Sequence, residues 1–267
     1  EEAAMKLHLL DNGVLVLGSE NPVVCDGGKG EGGESPRIPV HSFLLETSEG
    51  YVLFDCACDD RGMEVWPQWL RETPYVAGEG GTVVERLAEL GVSPEDVRYV
   101  VLSHMHVDHM GCVKYFPGAR TLVSAQEFTE VMREYSLNRL DGTFHVRTDI
   151  DNALRAGVQW RLVYEDRLPL AEDVTVYNFG AGHSYGMLGL LVRTGHGCYL
   201  LAADAVYSRA HYGPPARMAG VCSDEAGYYR TIERIRKIAE ENQAEVLFGH
   251  DVEQFRSLAE RNAQGEL

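Results

Sequence analysis

With 267 residues, 45% of them apolar and 24% charged, the chain has an ordinary globular balance and enough length to bury a sizeable core. Its formal net charge of −17, with Lys and Arg scattered instead of clustered, repels nucleic acid and anionic lipid, so the expected partner is a small or neutral molecule. No run nears the roughly 18 consecutive apolar residues of a membrane span, and "EEAAMKLHLL" lacks the basic, apolar and small-residue order of a signal peptide, so a cytoplasmic location is expected.

Glu1 to Ala4 read as a cloning remnant ahead of Met5. Two short apolar strands come next, "KLHLL" and "GVLVLG". "IPVHSFLLET" and "YVLFD" follow, with "SEG" between them as a hairpin-like turn. Residues 59 to 81 carry Met63, Val65, Trp66, Trp69, Leu70, Tyr75 and Val76 and end in "GEGG". "TVVERLAEL" opens with a capping box, Thr82 with Glu85, and stops at Gly91. "SPEDVRYVVLS" predicts a Ser-Pro helical turn and then a buried strand, and "SAQEFTEVMREY" a second helix with a capping box, Ser124 with Glu127. After a less regular stretch, 136 to 158, strands resume as "VTVYNF", "MLGLLVRT" and "GCYLLAAD". A long helix from about Asp224 to Glu241, the strand "AEVLFGH" and a final helix close the chain. No linker, low-complexity segment or short repeat interrupts this order, so residues 1–267 read as one α/β domain in which helices cover packed sheets. The six cysteines, Cys25, Cys56, Cys58, Cys112, Cys198 and Cys222, match neither a disulfide framework nor a zinc knuckle and read as free thiols in a reducing cytosol.

The chemistry concentrates in "HMHVDHMG", directly after the apolar run "VRYVVLS". In extended backbone residues i and i+2 point the same way, so His104 and His106 can converge on one point. Asp108 and His109 come where the chain can turn into a helix and aim at a second, nearby point. Neutral imidazoles and a carboxylate suit Zn²⁺, Mn²⁺, Fe or Co. Three later positions, each at the end of an apolar strand, fit the rest of a ligand set: His183 in "NFGAGHSYG", Asp204 in "LLAADAVY" and His250 in "VLFGHDVEQ".

The order HxHxDH, GH, D, GH resembles the metallo-β-lactamase superfamily, and within it the N-acyl homoserine lactonases and 4-pyridoxolactonase. "IPVHSFLLETSEG" is similar to that family's early strand pair, "DAVY" to a tetrad whose Asp bridges two metals and whose Tyr faces substrate, and "FGHDVEQF" to its closing motif. The resemblance implies an αββα sandwich, two packed mixed β-sheets flanked by helices. It places one divalent metal on His104, His106 and His183 and a second on Asp108, His109 and His250, with Asp204 bridging; zinc is foremost, and manganese, iron or cobalt also fit. Tyr207 becomes the substrate-facing phenol and Asp55 the carboxylate that orients a ligand histidine. Two departures stand out: Asp55-Cys56-Ala57 replaces the family's Asp-Thr-Gly, and Met187 stands where a supporting histidine is common.

Two cations a few ångströms apart turn a shared water into hydroxide at neutral pH, which attacks an ester carbonyl without a serine or cysteine nucleophile. The absence of a "GxSxG" elbow agrees. In this scheme Tyr207 donates to the developing oxyanion and Asp108 relays a proton to the leaving alkoxide, so the two are the catalytic candidates. The implied reaction is ring opening of an N-acyl homoserine lactone, a quorum-quenching activity, in a monomer or homodimer. The alternatives are 4-pyridoxolactone or another small lactone, a thioester as in glyoxalase II, and a metal protein without catalysis. The aromatic and apolar stretch from Met63 to Val76 is the candidate for an acyl-chain wall or a subunit contact, Cys112 for packing under the metal loop, and His8, His41, His145, His196 and His211 for structural or exposed positions.

Overall fold

The computed structural model describes residues 5–17 and 36–267, so Glu1 to Ala4, Gly18 and Cys25 lie outside the described residues. The opening strand β1 (Lys6–Val16) is one element where the sequence suggests two. Its pairing shifts register between Asp11 and Val14, and Gly13 adopts φ +107 at that bulge. A Cβ on Gly13 would lie 2.1 Å from the Val76 carbonyl oxygen, so only glycine lets the neighbouring strand approach. β2 (Arg37–Thr47) and β3 (Gly50–Phe54) form the expected hairpin, followed by a helical turn α1 (Gly62–Val65) and the short β4 (Tyr75–Ala77).

The helix α2 (Val83–Glu89) begins at the expected Thr82–Glu85 capping box. β5 (Val97–Val101) leads into the single turn α3 (Val107–Met110), and β6 (Arg120–Ser124) into α4 (Ala125–Ser136). At α4 the predicted capping box does not form: Ser124 makes no side-chain cap, and Glu127 is turned inward and fully buried. The stretch read as irregular holds a regular helix, α5 (Arg147–Ala156), ended by Gly157 in the left-handed region. Its inner face combines Ile150 and Ala153 with a buried carboxylate, Asp149, which breaks the apolar period that would have announced it. β7 (Gln159–Val163) and β8 (Arg167–Ala171) are likewise additional strands, mostly half-exposed at sheet edges. β9 (Val174–Gly180), β10 (Met187–Thr194), β11 (Gly197–Ala203), the turn α6 (Arg209–Tyr212), α7 (Glu225–Asn242), β12 (Glu245–Phe248) and α8 (Val252–Gln264) complete the chain. Asp224 caps α7 by accepting from the Gly227 amide.

The strands form two mixed sheets. One has the order β4-β1-β2-β3-β5-β6-β7, with β3, β5, β6 and β7 parallel; the other has the order β12-β11-β10-β9-β8, with β11 and β12 parallel. Alternate residues of the two inner faces meet in one core: Phe43, Leu45, Val52, Phe54 and Val101 from the first sheet, and Val176, Leu188, Leu190, Val192 and Leu201 from the second. Each such fully buried side chain contributes about 1.5–3 kcal/mol of transfer free energy. Helices cover the outer faces, with Leu44, Leu53 and Val100 of the first sheet and Leu191 and Leu200 of the second buried in the outer apolar layers. This is the αββα sandwich.

The topology positions the site. β10 runs antiparallel to both β9 and β11, so β9, β11 and β12 all point the same way, and their C-terminal ends share one edge of the second sheet. In the first sheet β3 and β5 end side by side at Asp55 and Ser103. Side chains that are distant in sequence therefore converge at strand ends, where open α/β sheets place their ligands. No helix among the described residues is long and apolar enough to cross a membrane.

Candidate metal centre

The histidine motif leaves β5, stays extended through His106, and turns into α3, for which His106 is the N-cap. Backbone bonds fix the turn: Val107 N–H donates to Phe144 O, Cys56 N–H to His109 O, and Gly111 N–H to Ala57 O. The loop that receives it is the departure noted in the sequence. Asp55 and Ala57 both sit in the left-handed region, at φ 62 and 57. Ala57 holds a conformation that disfavours a side chain, and the Gly111 contact braces it there. Cys112 packs beneath, its thiol donating to Cys58 O at 3.0 Å, and the five described cysteines are all free.

All seven residues selected from the sequence converge, in two groups. His104, His106 and His183 form one, with His183 Nε2 3.0 Å from His106 Nδ1. Asp108, His109, Asp204 and His250 form the other. Asp204 lies between them: its Oδ2 is 3.5 Å from His109 Nε2, 3.2 Å from His250 Nε2 and 3.5 Å from His183 Nε2. Asp108 Oδ2 is 3.5 Å from His109 Nε2 and 3.4 Å from His250 Nε2. Ligands on one tetrahedral zinc, each about 2.0–2.1 Å from the ion, lie about 3.3 Å apart, close to the 3.2–3.5 Å that separate Asp108 and Asp204 from His109 and His250. His104 Nε2, His109 Nε2 and Asp204 Oδ1 are buried with no hydrogen-bond partner, a state that costs several kcal/mol unless a cation answers it. The donors fit two divalent cations.

Outer partners set which nitrogen faces the site. His183 Nδ1 donates to Val221 O and His250 Nδ1 to Pro39 O, both at 2.9 Å, leaving each Nε2 lone pair directed inward. His109 Nδ1 is 2.8 Å from Asp55 Oδ2, and Asp55 also accepts from Ser103 N–H and Oγ–H. Burial drives His104, His106 and His183 below the ordinary imidazole range, which keeps them neutral and ready to ligate. At His109 and His250 burial is outweighed by Asp204 and Asp108, with Asp55 adding at His109, and both are raised. Asp204 is held far below the usual carboxylate range because His250 and His109 overcome its burial. One half of the centre is thus all imidazole and the other is rich in carboxylate.

Tyr207 stands over both halves, its ring 5.1 Å from that of His183 and 5.0 Å from that of His250. Burial, then the charges of Asp204 and Asp108, push its phenol well above the ordinary range, so it remains a donor. A cleft opens on His106, Asp108, Asp204, Tyr207 and His250, walled by Leu15, Leu17, Ile38, Phe144 and Val221. From the stretch between Met63 and Val76 only Thr73 reaches this lining. Trp66, Leu70 and Tyr75 are buried in the core, and Trp69 backs the wall by packing edge-on against Phe144 at 6.0 Å. The stretch thus gives the cleft Thr73 directly and Trp69 as backing, with its other large side chains in the core.

Two polar residues near the centre were not singled out as site residues. His145, expected to be structural or exposed, is buried with its ring 4.5 Å from that of His106. Glu127, read as a helix cap, accepts from Met105 N–H, in the middle of the histidine motif. No local signal marks either, because both reach the centre only through tertiary packing. Met187 is buried among apolar neighbours at the start of β10.

A family model, the metallo-beta-lactamase superfamily, matches residues 36–127. The N-acyl homoserine lactonase AiiB of Agrobacterium fabrum strain C58 is 41% identical over 228 residues, covering 83% of this chain and 82% of its own length. Among solved structures, an N-acyl homoserine lactone hydrolase with the product N-hexanoyl-L-homoserine at its catalytic metal centre superimposes with a TM-score of 0.78 at 23% identity, covering 96% of each chain. AidC, a dizinc quorum-quenching lactonase, superimposes with a TM-score of 0.65 at 17% identity, over 94% of this chain and 89% of its own.

Proposed function

The chain belongs to the metallo-β-lactamase superfamily and, within it, to the family of the N-acyl homoserine lactonases; from that premise and the site's geometry we propose that it opens the lactone ring of N-acyl homoserine lactones by metal-dependent hydrolysis, a quorum-quenching activity. The observation that carries the reading is the cleft itself, whose floor holds Asp108, Asp204, Tyr207 and His250 of the dinuclear centre and whose wall is aliphatic and aromatic. A polar, metal-polarised ring and an apolar tail match such a cleft at its two ends.

His104, His106 and His183 would hold one cation and Asp108, His109 and His250 the other, with Asp204 shared between them. Zinc is the metal proposed, since nitrogen and carboxylate donors at these separations suit it and the structurally similar AidC is a dizinc protein. Bound there, the pair supplies water activation and Lewis-acid polarisation of the lactone carbonyl. The protein supplies the rest. Tyr207 keeps its proton and presents it between the two halves, where the carbonyl oxygen gains negative charge. Asp108, on the cleft floor, would take up the proton that the attacking water gives up and relay it to the alkoxide that leaves the carbonyl carbon. Leu15, Ile38, Phe144 and Val221 exclude water and grip the acyl tail. Acid and alcohol stay tethered, so the product is a single hydroxy acid. The acidic balance of the chain, 41 Asp and Glu against 24 Lys and Arg, disfavours the cationic contacts that a glutathione thioester would need.

The test is acid release from a panel of short- and long-chain N-acyl homoserine lactones, 4-pyridoxolactone and an unsubstituted γ-lactone, with metal-loaded and chelated protein. Chelator-sensitive turnover of acyl homoserine lactones is the expected result. Two bound metals with no lactone turned over would overturn the reading.

A further inference from the structure

Glu127 is fully buried, and the proposed reaction gives it nothing to do. Its carboxylate nevertheless gathers hydrogen bonds from three separate segments. Met105 N–H, between His104 and His106, donates to Oε1 at 2.9 Å. Ser184 Oγ, next to His183, lies 2.9 Å from Oε1 and 2.8 Å from Oε2, and Gly186 N–H donates to Oε2 at 3.0 Å. His145 Nε2 is 3.1 Å from Oε1, and the same ring lies 4.5 Å from His106 while stacking on Tyr185.

This arrangement has a cost that packing alone does not explain. A Ser-x-x-Glu sequence at a helix start forms a capping box in solvent, yet here the Ser124 hydroxyl is left buried without a partner and the charge is taken inside. Burying a carboxylate is unfavourable unless hydrogen bonds answer it, and Glu127 meets that condition by tying together the two loops that carry all three histidines of one half. The other half has its own principal braces, His109 in Asp55 and His250 in Pro39 O, with Ser103 Oγ linking Asp55 at 2.8 Å to His104 Nδ1 at 2.9 Å.

We propose that Glu127, through Met105, Ser184, Gly186 and His145, is the positioning residue of the three-histidine half, setting the separation at which His104, His106 and His183 share one cation. The proposal rests on the metal-centre reading and adds that the two metal positions have different principal supports, Glu127 for one and Asp55 for the other. Glu127→Gln keeps the shape but turns one acceptor into a donor facing donors.

Zinc titration by equilibrium dialysis with elemental analysis, and the visible absorption of cobalt-loaded protein, should show two sites in the wild type. The variant should keep one near wild-type affinity and weaken the other by about 10- to 100-fold. Asp55→Asn should weaken the opposite site. The apo variant's circular dichroism reports folding separately. If Glu127→Gln does not fold, Ser184→Ala, which leaves the charge intact and removes one donor, should show the same selective loss on a smaller scale. Two sites of unchanged affinity, or an equal loss at both, would overturn the proposal. A wild-type protein that takes up fewer than two cations overturns the metal-centre reading and this proposal with it.

Discussion

Gly249 offers the most direct test of how Asp204 is held. It follows β12, immediately before His250, and its own N–H donates to Val206 O while His250 N–H donates to Tyr207 O. A Cβ added there would lie 2.1 Å from Asp204 Oδ1, 2.9 Å from the Ala203 carbonyl carbon and 3.0 Å from the Asp204 amide nitrogen. Non-bonded heavy atoms settle at about 3.5 Å, so the methyl needs more than an ångström that backbone cannot yield, and the Asp204 carboxylate is what moves. Overpacking of this kind costs about 1–3 kcal/mol of stability. A displacement of on the order of 1 Å in a catalytic constellation costs about 100-fold in rate, or about 2.7 kcal/mol of transition-state stabilisation. Gly249→Ala should therefore fold, bind less than two equivalents of zinc, and lose about 100-fold in kcat/KM for an acyl homoserine lactone. The measurements are pH-indicator kinetics, elemental analysis and thermal unfolding of the apo protein. Two bound metals with kcat/KM within about a factor of three of wild type would refute the placement of Asp204 as the shared ligand.

Asp108→Asn should lower ring opening by about 100- to 10,000-fold while leaving some metal bound, and full activity would remove Asp108 from the proton path. Tyr207→Phe should lower kcat by about 10-fold with KM little changed, because bound metal shares the stabilisation of the oxyanion; an unchanged kcat would end the oxyanion role. Phe144→Ala opens the apolar wall where Trp69 backs it. It should raise KM for long-chain substrates more than for short-chain ones, by about 10-fold, and an equal change across chain lengths would show that Phe144 does not touch the tail.

Much of the centre could be read from residues alone because its first half is local. His104 and His106 share a side of extended backbone, and Asp108 and His109 follow within one turn, so four of the seven converging residues are specified by spacing. Asp204 and His250 announce themselves by following apolar strands, and His183 follows one after a short glycine-rich turn. The less legible parts lack such a local signature. α5 buries Asp149 on its inner face, which hides its periodicity, and the two halves of β1 are continuous only because a bulge at Gly13 carries the ladder past β4. The aromatic stretch from Met63 to Val76 looks like a wall by composition, yet three of its largest side chains face the core.

By itself, then, the sequence determined which side chains can hold metal and that they end strands, and its net charge set the expectation of a partner that is not polyanionic, because period-two alternation and net charge are properties of neighbouring residues and of the chain as a whole. Only the tertiary structure decided what surrounds them. Glu127 turns away from its own helix start, because donors from Met105, Ser184 and Gly186 converge inside and outweigh the single cap it forgoes. His145 reaches His106, and Leu15, Ile38, Phe144 and Val221 become one surface, for the same reason: segments far apart in the chain are brought into contact by the packing of two sheets, and no window of sequence contains that distance.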